Sequence, residues 1–179
     1  TGFAATGHCN GPAPATAPNG STSKLAVQAD FTHANANPGL GATFTVSDVT
    51  TVSNVALELK KEVRNINQGG SFSLNNSARP GETLECRITY SNNGGGPIRG
   101  LTINHASPAY SSFVRANADA TPASLAGCTK RTPANPAPSP TTACTTAQTA
   151  GSTGAIEWSF SGALDPGGTG SVLFRVKID

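Results

Sequence analysis

Apolar and polar side chains alternate with a period of two along most of the chain beyond residue 23, and this alternation predicts strands. In KLAVQADF, residues 24–31, Leu25, Val27, Ala29 and Phe31 share one face, with Ala26, Gln28 and Asp30 on the other. ANPGLG reads as a turn, ATFTVSDV as a second strand through Phe44 and Val46, and VALELKKEV as a third. The third places Val55, Leu57, Leu59, Lys61 and Val63 on one face, so a lysine stands on the apolar side. INQGGSFSLNNSARPG is expected as a loop, with room for a short edge strand around Phe72 and Leu74. TLECRITY then turns Leu84, Cys86, Ile88 and Tyr90 inward and Glu85, Arg87 and Thr89 outward.

After the turn residues NNGGGP, IRGLTINHASP predicts a strand with Leu101, Ile103 and His105 on one face, and SSFVRA a further short one. GAIEWSFSGAL resumes the alternation through Ile156, Trp158 and Phe160, and SVLFRVKI carries it through Val172, Phe174, Val176 and Ile178. Seven to nine short strands with turns between them, and no helical period, indicate an all-β fold: an immunoglobulin-like antiparallel β-sandwich.

Two segments depart from the pattern. Residues 1–23 hold Phe3 as their single large apolar side chain among Gly, Pro and Ala, and read as an extended N-terminal coil. Residues 117–153 hold two cysteines and five of the thirteen prolines, with too little apolar surface for a core of their own, and read as an insertion in a domain spanning 24–179.

Composition narrows the function. Only 12% of the residues are charged, the formal charge is +2 and the Lys and Arg residues are scattered, which excludes the basic stripe of a nucleic-acid binder. No run approaches the roughly 18 apolar residues that a membrane span needs, so no membrane insertion is expected. The four cysteines include no C-x-x-C pair, which fits disulfides in an oxidising compartment better than zinc or a redox motif. A first residue other than Met adds the expectation of a chain secreted through a cleaved signal peptide, extracellular or at the cell surface.

Three cysteine connectivities are open. Cys128 and Cys144 share the Pro-rich insertion, where closing such a loop contributes roughly 3 kcal/mol, and this favours their pairing. That leaves Cys9 with Cys86, an inward thiol placed to bolt the N-terminal coil onto the sandwich, within one chain or between neighbours.

No catalytic constellation is visible. No serine sits in G-x-S-x-G, and Asp30, Glu58, Glu85 and Glu157 fall on outward faces, where carboxylates are normally solvated. His8, His33 and His105 lie in separate segments, so neither a metal nor any other cofactor is expected. Asn19-Gly20-Ser21 and Asn75-Asn76-Ser77 match the N-glycosylation pattern, and the Ser and Thr of 132–149 could carry O-linked sugars; both read as surface loops.

From about Val55 to Ile178, the order L-x-L-x-K, PGETLECRITYSNNG, GLTINHASP and GAIEWSFSGALDPGGTGSVLFRVKI resembles the conserved repeat called domain of unknown function eleven. LAVQADFTHANANPGLGATFTVSDVTTVSNV resembles the strand pair that precedes such repeats in tandem arrays. The resemblance implies an immunoglobulin-like module of bacterial and archaeal envelope proteins, serving in stalks, surface layers and filaments and not in catalysis. The family has an Asp where this chain has His105, and in its pattern that Asp could pair with the lysine matched here by Lys61. A buried lysine of that kind would also serve an isopeptide crosslink; the plain alternative is a lysine near a sheet end that extends its ammonium to water.

The expectation is a non-catalytic structural subunit of an extracellular polymer, a pilus-like filament or surface layer whose partners are identical subunits. Phe3, Leu25, Val27, Ala29 and Phe31 are its candidate assembly residues. The alternative is an adhesin or binding module cut from a larger envelope protein.

Overall fold

The computed structural model describes residues 17–18, 20–32, 41–52 and 55–179. Phe3 and Cys9 lie outside the described residues, as do His8, His33 and Asn19. The described residues contain strands and turns and no helix. The chain divides into two compact units, Thr1–Asn54 and Val55–Asp179.

In the first unit β1 (Thr22–Thr32) and β2 (Gly41–Thr51) form a two-stranded antiparallel sheet. Val27 stands opposite Val46 and Ala29 opposite Phe44, so both predicted strands are present and pair with each other.

The second unit holds two antiparallel sheets. One is ordered β3 (Leu57–Asn65), β4 (Thr83–Asn92), β11 (Thr169–Ile178) and β7 (Ser111–Ala118). The other is built on β10 (Ala155–Leu164), paired on one side with β8 (Leu125–Arg131), which in turn pairs the two-residue β9 (Thr142–Ala143). On its other side β10 meets β6 (Thr102–Ala106) and the two-residue β5 (Ile98–Arg99). Gly100, at φ 64°, separates β5 from β6. Among the described residues eleven strands are formed, two of them two-residue strands that alternation cannot reveal.

One core joins both sheets. Tyr90, Phe113, Val172, Phe174 and Val176 from the first meet Ile103, Ile156, Trp158 and Phe160 from the second. Ring contacts cross between them, Tyr90 to Phe160 at 5.5 Å and Trp158 to Phe174 at 6.2 Å, within the range of favourable aromatic pairs. Gly170 faces Tyr90 in register, and a Cβ there would lie 2.5 Å from the Tyr90 ring, so the absent side chain is what admits the phenol. Asn92 is buried and donates to the carbonyls of Gly96 and Leu164, which fixes the NNGGGP turn.

The segment 117–153, expected as an inserted loop, instead supplies a full strand to the second sheet. β8 pairs with β10, and its Leu125 joins the core. Its composition concealed this because one large apolar residue is enough where the neighbouring strand supplies the rest. The Cys128–Cys144 disulfide is present and closes the Pro-rich turn between β8 and β9.

Candidate functional site

The hairpin of the first unit is amphipathic. Cross-strand partners share a face, so the register gathers Leu25, Val27 and Ala29 of β1 with Val46 and Phe44 of β2, and sets Asp48 on the same face opposite Leu25. This face is exposed, Val27 at 56% and Val46 at 71%. Of the candidate assembly residues, Leu25, Val27 and Ala29 therefore lie together on one sheet face, and Phe31 stands opposite Ala42 in the same register. On the opposite face Asp30 accepts hydrogen bonds from Thr43 at 2.7 Å and from Gln28 at 2.9 Å. Those two donors, Thr43 foremost, hold its carboxyl below the ordinary carboxylate range.

A second apolar strip lies in the other unit. Leu57 and Leu59 are opposite Asn92 and Tyr90, so they belong to the inner face of their sheet. Both are exposed, Leu59 at 55%, because β3 is the edge strand and the core stops short of its first half. The predicted inward face is real here, but among the described residues nothing in this unit covers its start.

The core ends along β3 at Lys61. The ammonium of Lys61 lies 2.7 Å from Nε2 of His105 on β6 and 5.8 Å from the centre of the Phe174 ring. Nδ1–H of His105 donates to the Ala106 carbonyl, which leaves the Nε2 lone pair to accept from Lys61. Burial pushes the imidazole below its ordinary value and the Lys61 charge pushes it further, against the Ala106 hydrogen bond. Lys61 thus stands in mid-strand opposite Ile88, is exposed, and holds His105 with its ammonium. An imidazole offers no acyl carbon to an amine, so this contact is a hydrogen bond between the sheets and not the precursor of an isopeptide.

Sequence reasoning missed a row of charges on the outer face of the β3–β4–β11–β7 sheet. Arg64, Glu85, Arg175 and Arg115 stand side by side on its four strands. Glu85 was expected to be solvated, yet its side chain is only 2% exposed. Burial raises its carboxyl, but hydrogen bonds and charge from Arg175, at 2.7 Å, and from Arg64 outweigh that and hold it below the ordinary range. Arg115 approaches the same carboxylate at 3.7 Å. Beside the row, Phe72 lies against the guanidiniums of both Arg64 and Arg87, 4.6 and 4.1 Å from its ring centre. Phe72 is thus a platform for arginines, and Ser73 makes only an isolated bridge to Val63 where an edge strand was expected.

Cys86 is buried in the core and is a free thiol among the described residues, raised above its ordinary value chiefly by burial. Asn75 lies on an exposed loop. Among the described residues no three His, Cys, Asp or Glu side chains are grouped to hold a metal ion, and no helix is long and apolar enough to cross a membrane. No family model, curated protein or solved structure matches this chain. The class that the geometry defines is an all-β protein with antiparallel sheets, a disulfide-closed turn and exposed apolar strand faces.

Proposed function

We propose that the chain is a non-catalytic structural subunit of an extracellular self-assembling polymer. Its body is an immunoglobulin-like β-sandwich of the kind its resemblance to the envelope repeat implies, and its N-terminal segment is the connector to the next identical subunit. The observation that carries this reading is the apolar hairpin face, where Leu25, Val27 and Val46 are exposed. An isolated two-stranded sheet is marginal in water, and a contiguous apolar face on one is a surface made to be covered. The open strip of Val55, Leu57 and Leu59 lies beside the first half of the β3 edge, which pairs no further strand among the described residues, and offers complementary chemistry, main-chain groups together with apolar side chains. A head-to-tail contact between unlike surfaces repeats from subunit to subunit, and makes a fibre where its rotation does not close into a ring.

The test is electron microscopy and sedimentation of native material beside a Val27→Asp, Val46→Asp double variant. The reading expects filaments or sheets from the native chain. It expects the variant to remain monomeric with the unfolding of the Val55–Asp179 unit unchanged. Native protein that stays monomeric at high concentration, or a variant that polymerises as before, would overturn it.

A further inference from the structure

Three guanidiniums share one carboxylate on the outer face of the β3–β4–β11–β7 sheet. Glu85 Oε2 accepts from Nε of Arg64 at 2.8 Å, and Oε1 accepts from Nε of Arg175 at 2.7 Å and has Arg115 at 3.7 Å. Among the described residues these three arginines have no other ion-pair partner, so the group carries an excess of two positive charges. The carboxylate is buried and the arginines are partly exposed, which leaves the excess on the side that faces water.

Glu85 fixes the guanidiniums without exhausting them. Arg175 donates to it through Nε alone, so among the described residues both terminal NH2 groups are open. Arg64 donates through Nε and Nη2 and keeps Nη1 open. Because the two arginines sit on the two oxygens of one carboxylate, they are close neighbours. Both line a cleft of about 240 Å³, whose remaining lining is Ile66, Gly69 and Gly70. No acidic residue borders it. The volume is below the roughly 300 Å³ at which sites for whole organic ligands begin, and suits one charged group of a ligand.

We infer that this cleft binds a doubly charged tetrahedral oxyanion, the phosphate of a monoester, between the guanidiniums of Arg64 and Arg175. Planar guanidinium forks match the oxygens of such a group in pairs, and their orientation is set in advance by Glu85. A dianion offsets the whole excess charge, whereas a carboxylate or a phosphodiester offsets half. Arg115 lies beside Arg175 in register and contributes through its charge, not through contact with the ligand. The inference is independent of assembly, since β3, β11 and the Ile66–Gly70 turn all belong to the Val55–Asp179 unit.

The test is an amide nuclear magnetic resonance titration of the full chain at constant ionic strength with methyl phosphate, dimethyl phosphate and acetate in turn. Methyl phosphate is expected to give saturable shifts at Ile66, Gly69, Gly70 and Arg175 in the low millimolar range, at roughly tenfold lower concentration than either monoanion. Arg64→Gln is expected to weaken methyl phosphate about tenfold, with Glu85 still held by Arg175 and Arg115. Arg99→Gln, an equal loss of charge on the other sheet, is expected to change nothing. If Arg64→Gln fails to fold, Arg64→Lys replaces it; it keeps the charge, loses the fork and is expected to weaken binding severalfold. No saturation by methyl phosphate, equal affinity for dimethyl phosphate, shifts away from the cleft, or equal effects of the substitutions at Arg64 and Arg99 would each overturn the inference.

Discussion

Glu85→Gln removes the carboxylate around which Arg64, Arg115 and Arg175 converge while preserving its size. Breaking a buried ion pair from one side costs about 3–5 kcal/mol. Here the side chains of Arg64 and Arg175 are 38% and 26% exposed, so water takes up part of the released charge. A destabilisation of about 2–3 kcal/mol is expected, equivalent to a fall of about 10 °C in Tm for a unit of this size. Urea unfolding followed through Trp158, the chain's single tryptophan and part of the core, reports directly on this unit. The difference between wild type and variant should narrow in about 1 M salt, where screening weakens both the native pairs and the repulsion among the orphaned guanidiniums. It should also narrow in acid. The Glu85 carboxyl is held below its ordinary 4.5, so its contribution is present above that pH and is lost as pH falls toward the folded-state value. A variant within about 0.5 kcal/mol of wild type at neutral pH and low salt would refute the view that Glu85 organises this face.

His105 yields a second pH dependence of defined sign. Its folded-state pKa lies below the ordinary 6.5, so as pH falls past that value the unfolded chain takes up a proton that the folded chain declines, and stability drops. Urea midpoints compared above and below this range should fall on the acid side in wild type and change less in His105→Asn; equal changes would assign the effect elsewhere. Gly170→Ala should cost about 2–3 kcal/mol, because the new methyl meets the Tyr90 ring inside the packed core. Thermal unfolding within a degree or so of wild type would show that Tyr90 can move aside.

The alternation in TLECRITY was sufficient to place Cys86, Ile88 and Tyr90 in the core, and that in GAIEWSFSGAL to place Ile156, Trp158 and Phe160, because each strand has close-packed neighbours on its inner face. The same pattern could not say how far the cover extends. Leu57 and Leu59 obey it and are nevertheless exposed, since burial there depends on an edge and not on the strand itself. Glu85 was misread for a related reason. Its neighbours Arg64 and Arg175 lie 21 and 90 residues away, and only register makes them adjacent. β8 was lost within a segment read as loop, where a single leucine gave too weak a signal for a strand. The shared insertion of Cys128 and Cys144 was a local clue, and it led to the observed disulfide.

The order in which the chain becomes available matters for this fold. β11 is the last strand of its unit in sequence, yet it lies between β4 and β7 and contributes Val172, Phe174 and Val176 to the centre of the core. A polypeptide made from its N-terminus therefore reaches residue 168 with β4 and β7 still lacking the strand that joins them. Pairings over such separations close slowly, in milliseconds to seconds for sheet proteins of this kind. The core of the Val55–Asp179 unit is thus completed only once β11 is available, and a nascent chain stopped before Thr169 lacks Val172, Phe174 and Val176 from its centre.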